Sequence, residues 1–406
     1  MGWRSAASAA FRAGGPRLSR RTRAGRITSV PHARAIARSR VPRAIFDVIE
    51  GAAEREVTAQ RNLDAFAAAT WRQPVGVRAD TVDTGCEVLG QRFAAPILTA
   101  PCGMAGTVHP DAEPGVFRAA AARGLGSVLS TTATRSLETV AQQGGHDGGW
   151  FQLYFLGGRA GAEELLDRAA AAGYRNLVLT LDTAVPGIRP RDARHGLSLP
   201  MQWRVPPLLR LAPQVLARPR WLAGVARSPS TLGMGNGVSC VPGGGLAELF
   251  DDVPTWADIA WIRARWRGPV LVKGITRPED ALRAVAEGAD GVVVSNHGGR
   301  QLDGQPGALH SLADVLGAVG GQVPVLMDGG ARTGADVARA VALGADAVLV
   351  GRAYLYGLAV AGSAGVGRVL DLLVGELERT MRLLGAADLA QLRTVPIELD
   401  GRHGRG

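Results

Sequence analysis

Short apolar runs recur along the chain, and alanine-rich stretches of helical periodicity separate most of them. The eight runs are PILTAP (96–101), LGSVLS (125–130), WFQLY (150–154), NLVLTL (176–181), PVLVKG (269–274), DGVVVS (290–295), PVLMDG (324–329) and DAVLVG (346–351). Each run is continuous rather than alternating, which is typical of a strand buried on both faces. Eight such units predict an α/β fold, a (β/α)8 TIM barrel, in preference to a two-sheet arrangement.

Segments outside the eight units predict additions to the barrel. RAIARSRVPRAIFDVIEGAA (34–53) predicts an N-terminal helical cap of two short helices, with Pro42 starting the second. CEVLGQRFAAP (86–96) predicts a hairpin that plugs the bottom of the barrel. A long segment rich in Pro, Leu, Trp and Gly follows the fourth strand, over about 184–255. Because long loops in compact domains are usually functional, we expect a lid-like insertion there.

The basic residues are concentrated at the N-terminal end of the chain. The formal net charge is +10, but residues 1–43 hold 11 arginines and no acidic residue, so the rest of the chain is close to neutral. This distribution argues against nucleic acid as the partner of the main body. We expect a basic, disordered extension (1–26), a barrel domain (27–385) and a C-terminal tail (386–406). A transit peptide, a nucleic-acid arm or a misassigned start codon would each explain the extension.

Composition also bears on compartment and metal content. No apolar stretch approaches the roughly 18 residues of a membrane span, so we expect no transmembrane segment. Cys86, Cys102 and Cys240 share no CxxC spacing, and the seven histidines are scattered along the chain. The sequence therefore predicts a cytoplasmic protein without disulfides or a metal site, with peripheral membrane association left open.

Polar residues follow the predicted strands at the ends where a TIM barrel carries its active site. These residues are Ser130, Gln152, Tyr154, Thr180, Asp182, Lys273, Ser295, His297 and Asp328. Side chains two apart on a strand share a face, so several of them converge at the open end of the barrel, which we call the mouth. Strand capping would explain any one of these residues, but it explains the whole set poorly.

Two further features indicate the chemistry of this mouth. Lys273 is the only lysine in the chain, which suggests a site that needs a compact point charge, although chance would also explain it. MDGGARTGAD and VGRAYLYG place Arg332 after the seventh strand and Gly351 and Arg352 after the eighth. Barrels often bind phosphate at these positions, through backbone N–H groups and helix N-termini.

The segment SNHGGRQLDG (295–304) closely resembles the signature of the FMN-dependent 2-hydroxy acid oxidases and dehydrogenases, such as glycolate oxidase, lactate oxidase and mandelate dehydrogenase. The resemblance extends from about Arg26 to Gly385. It implies an FMN cofactor and the oxidation of an L-2-hydroxy acid to the 2-oxo acid. It also implies a homotetramer and reoxidation of the flavin by oxygen, a quinone or a protein.

The same resemblance implies a role for each matching residue. His297 is expected to be the catalytic base, Asp182 its partner and Tyr154 a catalytic and substrate-binding residue. Arg189 and Arg300 are expected to bind the substrate carboxylate. The expected flavin contacts, from ring to phosphate, are Ala100, Pro101, Gly103, Ser130, Gln152, Thr180, Lys273, Ser295, Asp328, Gly329, Gly330, Arg332, Gly351 and Arg352.

The chain departs from the family pattern in three places. Val48 stands where relatives usually have a tyrosine that reaches the substrate carboxylate. Cys102 and Gly103 replace the commoner Thr-Ala or Thr-Gly, and Pro190 replaces a glutamate. These departures leave the identity of the substrate open, whereas the residues of the flavin site are retained.

Two other functions remain as alternatives. GRAYLYGLA and ARPRWL also resemble a mycofactocin-maturing flavin barrel, which would act on a peptide-derived amine. Retention of both Arg189 and Arg300 favours a free carboxylate instead. A non-redox phosphate-binding barrel, a lyase or isomerase, would use similar strand-end residues but would be colourless when purified.

Overall fold

Four helices precede the barrel in this computed structural model, which describes residues 19–145, 148–196, 205–228, 233–240, 252–399 and 402–403. They are α1 (Arg20–Gly25), α2 (Val30–Arg40), α3 (Arg43–Glu50) and α4 (Val57–Ala68). Pro42 is the N-cap of α3, which confirms the predicted pair of cap helices. The expected disordered extension is too long, because Ser19 Oγ accepts a hydrogen bond from Thr22 N and begins α1. The largely buried Ala24 anchors this helix.

Three short strands follow, β1 (Thr70–Trp71), β2 (Cys86–Val88) and β3 (Gln91–Phe93). The next eight strands form a closed parallel barrel. They are β4 (Ile97–Thr99), β5 (Gly126–Ser130), β6 (Trp150–Leu153), β7 (Asn176–Thr180), β8 (Val270–Ile275), β9 (Gly291–Val294), β10 (Val325–Asp328) and β11 (Ala347–Val350). The barrel closes where β11 pairs with β4. All eight predicted strands and the TIM-barrel fold are therefore confirmed.

Helices cover the outside of the barrel and form part of the insertion. They are α5 (Ala112–Ala121), α6 (Leu137–Gly144), α7 (Gly158–Ala171), α8 (Pro190–Arg194), α9 (Val205–Leu216), α10 (Pro219–Arg227), α11 (Ala257–Arg265), α12 (Pro278–Ala286), α13 (Ala308–Val319), α14 (Gly334–Leu343), α15 (Arg352–Ala361) and α16 (Ser363–Leu384). Apart from α8 and α9, these helices pack small and branched side chains against the strands in one apolar core. This packing fixes the strand ends that build the site.

The β2–β3 hairpin closes the amino-terminal end of the barrel, as the sequence predicts. Gln91 Oε1 accepts hydrogen bonds from Trp150 Nε1 at 2.5 Å and from Asn176 Nδ2 at 2.9 Å. Both donors are the first residues of barrel strands. The plug therefore leaves the carboxyl ends of the strands as the open end of the barrel.

The expected lid-like insertion contains α8, α9 and α10, while 197–204, 229–232 and 241–251 lie outside the described residues. Trp221 Nε1 in α10 donates to Thr107 O at 2.8 Å. The fully buried Asn236 donates through Nδ2 to Thr131 O at 3.1 Å and accepts from Leu137 N at 2.7 Å through Oδ1. These described parts of the insertion are therefore anchored to the loops that follow β4 and β5, and opening of a lid stays a prediction.

The C-terminal segment is part of the barrel domain rather than a separate tail from residue 386. It forms α17 (Leu389–Leu392), β12 (Ile397–Leu399) and β13 (Arg402–His403). Strand β12 pairs antiparallel with β1, and Leu392 is fully buried. The expected boundary at 385 is thus too early, because a run this short carries no strong periodicity in the sequence.

We expect Asn236→Ala to lower the thermal unfolding midpoint. The change removes one side chain but leaves buried backbone groups of Leu137 and Thr131 unsatisfied, which costs about 1–3 kcal/mol. Differential scanning calorimetry of the holoenzyme measures the effect. Gln60→Ala, at an exposed position, is the control and should have little effect. Equal midpoints for the two variants would contradict the anchoring role of Asn236.

Candidate active site

A deep cavity opens at the carboxyl ends of the barrel strands, and most of the predicted site residues line it. Those that line it are Ala100, Pro101, Gly103, Ser130, Gln152, Tyr154, Thr180, Arg189, Lys273, His297, Arg300, Asp328, Gly329, Gly330, Arg332, Gly351 and Arg352. The two remaining residues, Asp182 and Ser295, lie behind this lining, where they bind His297. The structure thus brings the whole predicted set together.

His297 lies three residues after the end of strand β9 and has an unusual backbone conformation. Its φ is +57°, in the left-handed region that a residue with a Cβ rarely occupies. Its backbone N–H donates to Ser295 Oγ at 3.0 Å, which holds the turn. A Cβ on Gly299 would lie 2.5 Å from the backbone nitrogen of Ala59, so only glycine fits there. Such local strain is typical of functional sites, where the surroundings hold a side chain in place.

The His297 imidazole bridges an acid and a phenol. Its Nδ1 lies 3.1 and 3.2 Å from the two carboxylate oxygens of Asp182, and its Nε2 lies 3.3 Å from the Tyr154 hydroxyl. Burial alone would raise the pKa of Asp182, but the charges of His297 and Lys273 lower it below its ordinary value. An ionised Asp182 favours the tautomer with a proton on Nδ1, which leaves Nε2 free to accept a proton.

Tyr154 remains a hydrogen-bond donor in this site. Burial, followed by the charge of Asp182, raises the pKa of its phenol. The hydroxyl therefore keeps its proton at neutral pH and can donate to an oxygen atom beside His297 Nε2.

Lys273, at the carboxyl end of β8, forms a buried charged network. Its Nζ donates to Ser295 Oγ at 2.8 Å and lies 3.0 Å from Asp328 Oδ2. Ser295 Oγ in turn donates to Asp328 Oδ1 at 2.6 Å. Burial would lower the pKa of Lys273, but the carboxylates of Asp328 and Asp182 outweigh it and raise the pKa. The ammonium is therefore a fixed positive charge in the wall of the cavity.

Arg189 and Arg300 also line the cavity. Arg300 Nη1 donates to Val48 O at 3.0 Å and to Gly51 O at 2.7 Å, at the C-terminus of α3. Burial, then the charges of Arg189 and Arg352, lower the pKa of Arg300 to about 9. The guanidinium is still charged at neutral pH, but its charge is costly there. A carboxylate bound to both arginines would relieve that cost.

One residue of this region was missed by sequence reasoning. Asp192, in α8, lines the cavity, and its Oδ2 lies 3.0 Å from Arg189 Nε. The only signal in the sequence is an acidic residue three positions after an arginine, which is common on helix surfaces.

The Gly-Arg pairs after β10 and β11 form a positively charged corner. Arg332 and Arg352 line the cavity there, and burial followed by the charge of Arg332 lowers the pKa of Arg352. Gly330 has a φ of +105°, and a Cβ at this position would lie 2.5 Å from the Asn62 carbonyl oxygen. Thr333 caps α14, with its Oγ1 accepting from Asp336 N. A phosphate fits two guanidinium groups beside a helix N-terminus.

The three guanidinium nitrogens of Arg352 already have partners in this structure. They donate to Ile49 O at 3.1 Å, Gly298 O at 2.9 Å and Gly51 O at 2.9 Å. Arg352 therefore supports the backbone around the site as well as contributing positive charge. Its predicted contact with a phosphate stays a prediction.

Two buried polar atoms in the cavity wall fit a flavin ring. Gln152 Nε2 and Thr180 Oγ1 are buried without a hydrogen-bond partner in the described part of the chain. Buried polar groups are nearly always paired, so each indicates a missing partner. A flavin ring presents carbonyl and nitrogen acceptors of the kind that both groups lack. The residues present thus fit FMN, and the placement of its ring and phosphate stays a prediction.

A TIM barrel whose cavity holds a histidine paired with a carboxylate, several arginines and unpaired buried polar groups is typical of a flavin-dependent oxidoreductase of 2-hydroxy acids. The model of the family described as FMN-dependent dehydrogenase matches residues 37–398. The chain belongs to this family. Its activity is the FMN-dependent oxidation of an L-2-hydroxy acid to the 2-oxo acid.

Individual relatives agree with this family assignment. The L-lactate dehydrogenase of Caulobacter vibrioides is 42% identical over 373 residues, which cover 90% of this chain and 96% of the relative. That of Alcaligenes faecalis is 39% identical over 374 residues, covering 90% and 97%. Among solved structures, a monotopic membrane (S)-mandelate dehydrogenase superposes with a TM-score of 0.82 at 36% identity, covering 90% of this chain and 98% of that one. A mandelate oxidase gives 0.79 at 34% identity, covering 92% and 99%.

Membrane-spanning helices and metal sites are the two remaining features to consider. Within the described ranges, no helix is long and apolar enough to cross a membrane. In the same ranges, no group of three His, Cys, Asp or Glu side chains is arranged to hold a metal ion.

We expect Thr180→Val to weaken FMN binding without destabilising the protein. The hydroxyl has no partner in the described structure, so its removal costs nothing in the absence of FMN but loses a donor when FMN is bound. The dissociation constant for FMN should rise roughly tenfold, equivalent to about 1.4 kcal/mol. Fluorescence titration of FMN-depleted protein measures it.

Thr131→Val is the matched control for that experiment. Thr131 Oγ1 donates to Gln152 O at 2.7 Å and accepts from Tyr154 N at 3.0 Å, so its loss should lower stability with or without FMN. If Thr180→Val destabilises the FMN-free protein as much as Thr131→Val does, the Thr180 hydroxyl is not reserved for the cofactor.

Proposed function

We propose that this chain oxidises an L-2-hydroxy acid with a bulky apolar side chain, and that His297 is the catalytic base. The observation that carries the proposal is the position of His297 Nε2, which lies 3.3 Å from the Tyr154 hydroxyl. The carboxylate of Asp182 supports the other ring nitrogen. His297, Arg189 and Arg300 all line the cavity, so an unprotonated Nε2 would be available to a substrate bound there.

The arginines orient the substrate. Arg189 and Arg300 bind its carboxylate through charge-assisted hydrogen bonds, which hold the α-carbon near His297. The Tyr154 hydroxyl donates to the substrate oxygen and limits its rotation. Because the substrate is held in this orientation, its reaction with the catalytic groups takes place within a single complex.

The base then removes a proton from the substrate. Oxidation requires loss of the hydroxyl proton and of the α-hydrogen, and either order needs a base near that oxygen and carbon. His297 Nε2 takes the proton, and Asp182 stabilises the imidazolium that results. Bound FMN would accept the two electrons that leave the α-carbon. Lys273 places positive charge beside the ring site, and Asp328 and Ser295 keep it there.

The wall of the cavity supports the preference for a bulky side chain. Ile45, Val48, Val108 and Leu355 line it with apolar surface. The valine removes both the hydroxyl and the bulk of the tyrosine that relatives usually carry at position 48. A larger apolar group gains contact there at roughly 25 cal/mol per Å² of buried area. A phenyl-bearing acid of the kind in the names of the solved relatives fits this wall better than lactate does.

The rest of the proposal concerns the compartment, oligomeric state, partners and electron acceptor of the enzyme. The three cysteines are free, which supports a reducing cytoplasm. The homotetramer, the absence of nucleic acid as a partner and peripheral membrane association stay predictions. So does the acceptor that reoxidises the flavin, whether oxygen, a quinone or a protein. A panel of 2-hydroxy acids assayed with oxygen and with a dye acceptor tests substrate and acceptor together.

We expect His297→Asn to lower kcat by about 10²–10⁴, the usual contribution of a positioned base. Asparagine tolerates the left-handed backbone at this position, so the fold and the flavin content should be preserved. Stopped-flow reduction of the bound flavin by (S)-mandelate measures the step directly. An unchanged reduction rate in a flavin-loaded variant would exclude His297 as the base.

We expect Val48→Tyr to raise kcat/KM for L-lactate relative to (S)-mandelate. The added hydroxyl supplies a hydrogen bond to the carboxylate worth about 1.5–3 kcal/mol, while the added ring fills space that a larger substrate needs. Val48→Phe is the matched control, because it adds the bulk without the hydroxyl. A ratio that stays constant in both variants would show that position 48 does not control selectivity.

A further inference from the structure

Asp192 is an acidic residue inside a site built to bind a carboxylate. It lies in α8, is 6% exposed and lines the cavity. Its Oδ2 lies 3.0 Å from Arg189 Nε. Its Oδ1 is buried without a hydrogen-bond partner in the described part of the chain. A buried carboxylate is costly unless it is paired, so its presence here needs a reason.

We propose that Asp192 is a positioning residue that holds Arg189 in the orientation required to bind the substrate carboxylate. The ion pair engages Nε, on the side of the guanidinium group. A carboxylate binds an arginine most strongly through two parallel hydrogen bonds, which the terminal nitrogens can supply while Nε is held. This inference rests on the proposed function, because it concerns the same carboxylate site.

The charges around Asp192 support this role. After burial, the positive charges of Arg189 and Arg352 lower the pKa of Arg300. Asp192 acts in the opposite direction and raises the pKa of Arg300. Burial raises the pKa of Asp192 itself, although Arg189 and Arg300 lower it. Without this carboxylate the two substrate-binding arginines would repel each other, and Arg189 would be free to turn away.

The helix that carries Asp192 is fixed to the N-terminal helices. His195 Nε2 lies 2.7 Å from Asp47 Oδ2 in α3, and Arg191 forms an ion pair with Glu56. These two contacts flank Asp192 along the chain. Its carboxylate is therefore a fixed point from which the longer and more flexible Arg189 can be oriented.

A competing role makes the opposite prediction. If Asp192 only occupied Arg189 in the free enzyme, the substrate would have to displace it, and removing the carboxylate would tighten substrate binding. If Asp192 positions Arg189, removing the carboxylate weakens binding. The direction of the change therefore decides between the two roles.

The test compares Asp192→Asn, Asp192→Glu and Asp258→Asn as flavin-loaded enzymes. Asp258 is the matched control because it is 4% exposed and pairs with Arg159 at 2.5 Å, but it does not line the cavity. Oxalate, which is not oxidised, is titrated by calorimetry. We expect about 10–100-fold weaker binding in Asp192→Asn, partial recovery in Asp192→Glu and no change in Asp258→Asn. Tighter or unchanged binding in Asp192→Asn would overturn the inference.

Steady-state kinetics add a second readout. For (S)-mandelate, KM should rise in Asp192→Asn by much more than kcat falls. The corresponding 2-hydroxy amide, which has no carboxylate, should respond far less. Equal losses for the acid and the amide would indicate a general structural defect and would contradict the positioning role.

A double-mutant cycle tests whether Asp192 acts through Arg189. If Asp192→Asn is poorly stable, the same cycle is measured with Asp192→Glu, which keeps the charge. When Arg189→Gln is already present, Asp192→Asn should have little further effect on oxalate affinity, because Asp192 acts through Arg189. Additive effects would refute the inference. The proposed function is judged separately, since it fails if the unmodified enzyme oxidises no 2-hydroxy acid, whereas the oxalate measurements need no turnover.

Discussion

The mouth of the barrel depends on one buried ammonium group. Lys273 would be strongly destabilised by burial if Asp328 and Ser295 did not surround it. These three residues come from the ends of three consecutive strands, β8, β9 and β10. Ser295 Oγ also accepts from the backbone N–H of His297. The network that neutralises the lysine therefore links the ends of the three strands and holds the backbone of His297.

The helices before the barrel are part of the site rather than a covering for it. The C-terminus of α3 leaves carbonyl groups without helical partners, as every helix does. Arg300 and Arg352, from the far side of the sequence, donate to Val48 O, Ile49 O and Gly51 O there. The arginines are thereby oriented, and the helix end is capped by positive charge, which also complements its dipole. This mutual dependence explains why position 48 can influence a site formed mainly by the barrel.

The parts of the structure that could be predicted from the sequence are those with a strong repeating signal. The eight strands are continuous apolar runs because both faces of each are buried, and their polar ends converge because parallel strands share a direction. The extension and the tail were misjudged because α1 and β12 are too short to show periodicity, and long-range contacts stabilise them. Asp192 was missed for a different reason. Its role depends on its proximity to Arg189 and Arg300 in the folded chain, and no local sequence pattern predicts that proximity.

The insertion affects the cavity through the elements on which it packs. Leu211 and Val215 of α9 pack against Ala44 and Val48 of α3, and Gln214 Oε1 accepts from Ala44 N at 3.0 Å. Helix α9 therefore caps the start of α3 and supports the back of the wall at position 48. Helix α10 binds the carbonyl of Thr107, which itself lines the cavity. Because packed side chains in contact do not act independently, the size of the substrate pocket is a joint property of α3 and the insertion. Val48 is thus only one part of the wall that supports the proposed preference for a bulky side chain, and the same residue beside a different insertion would form a different wall.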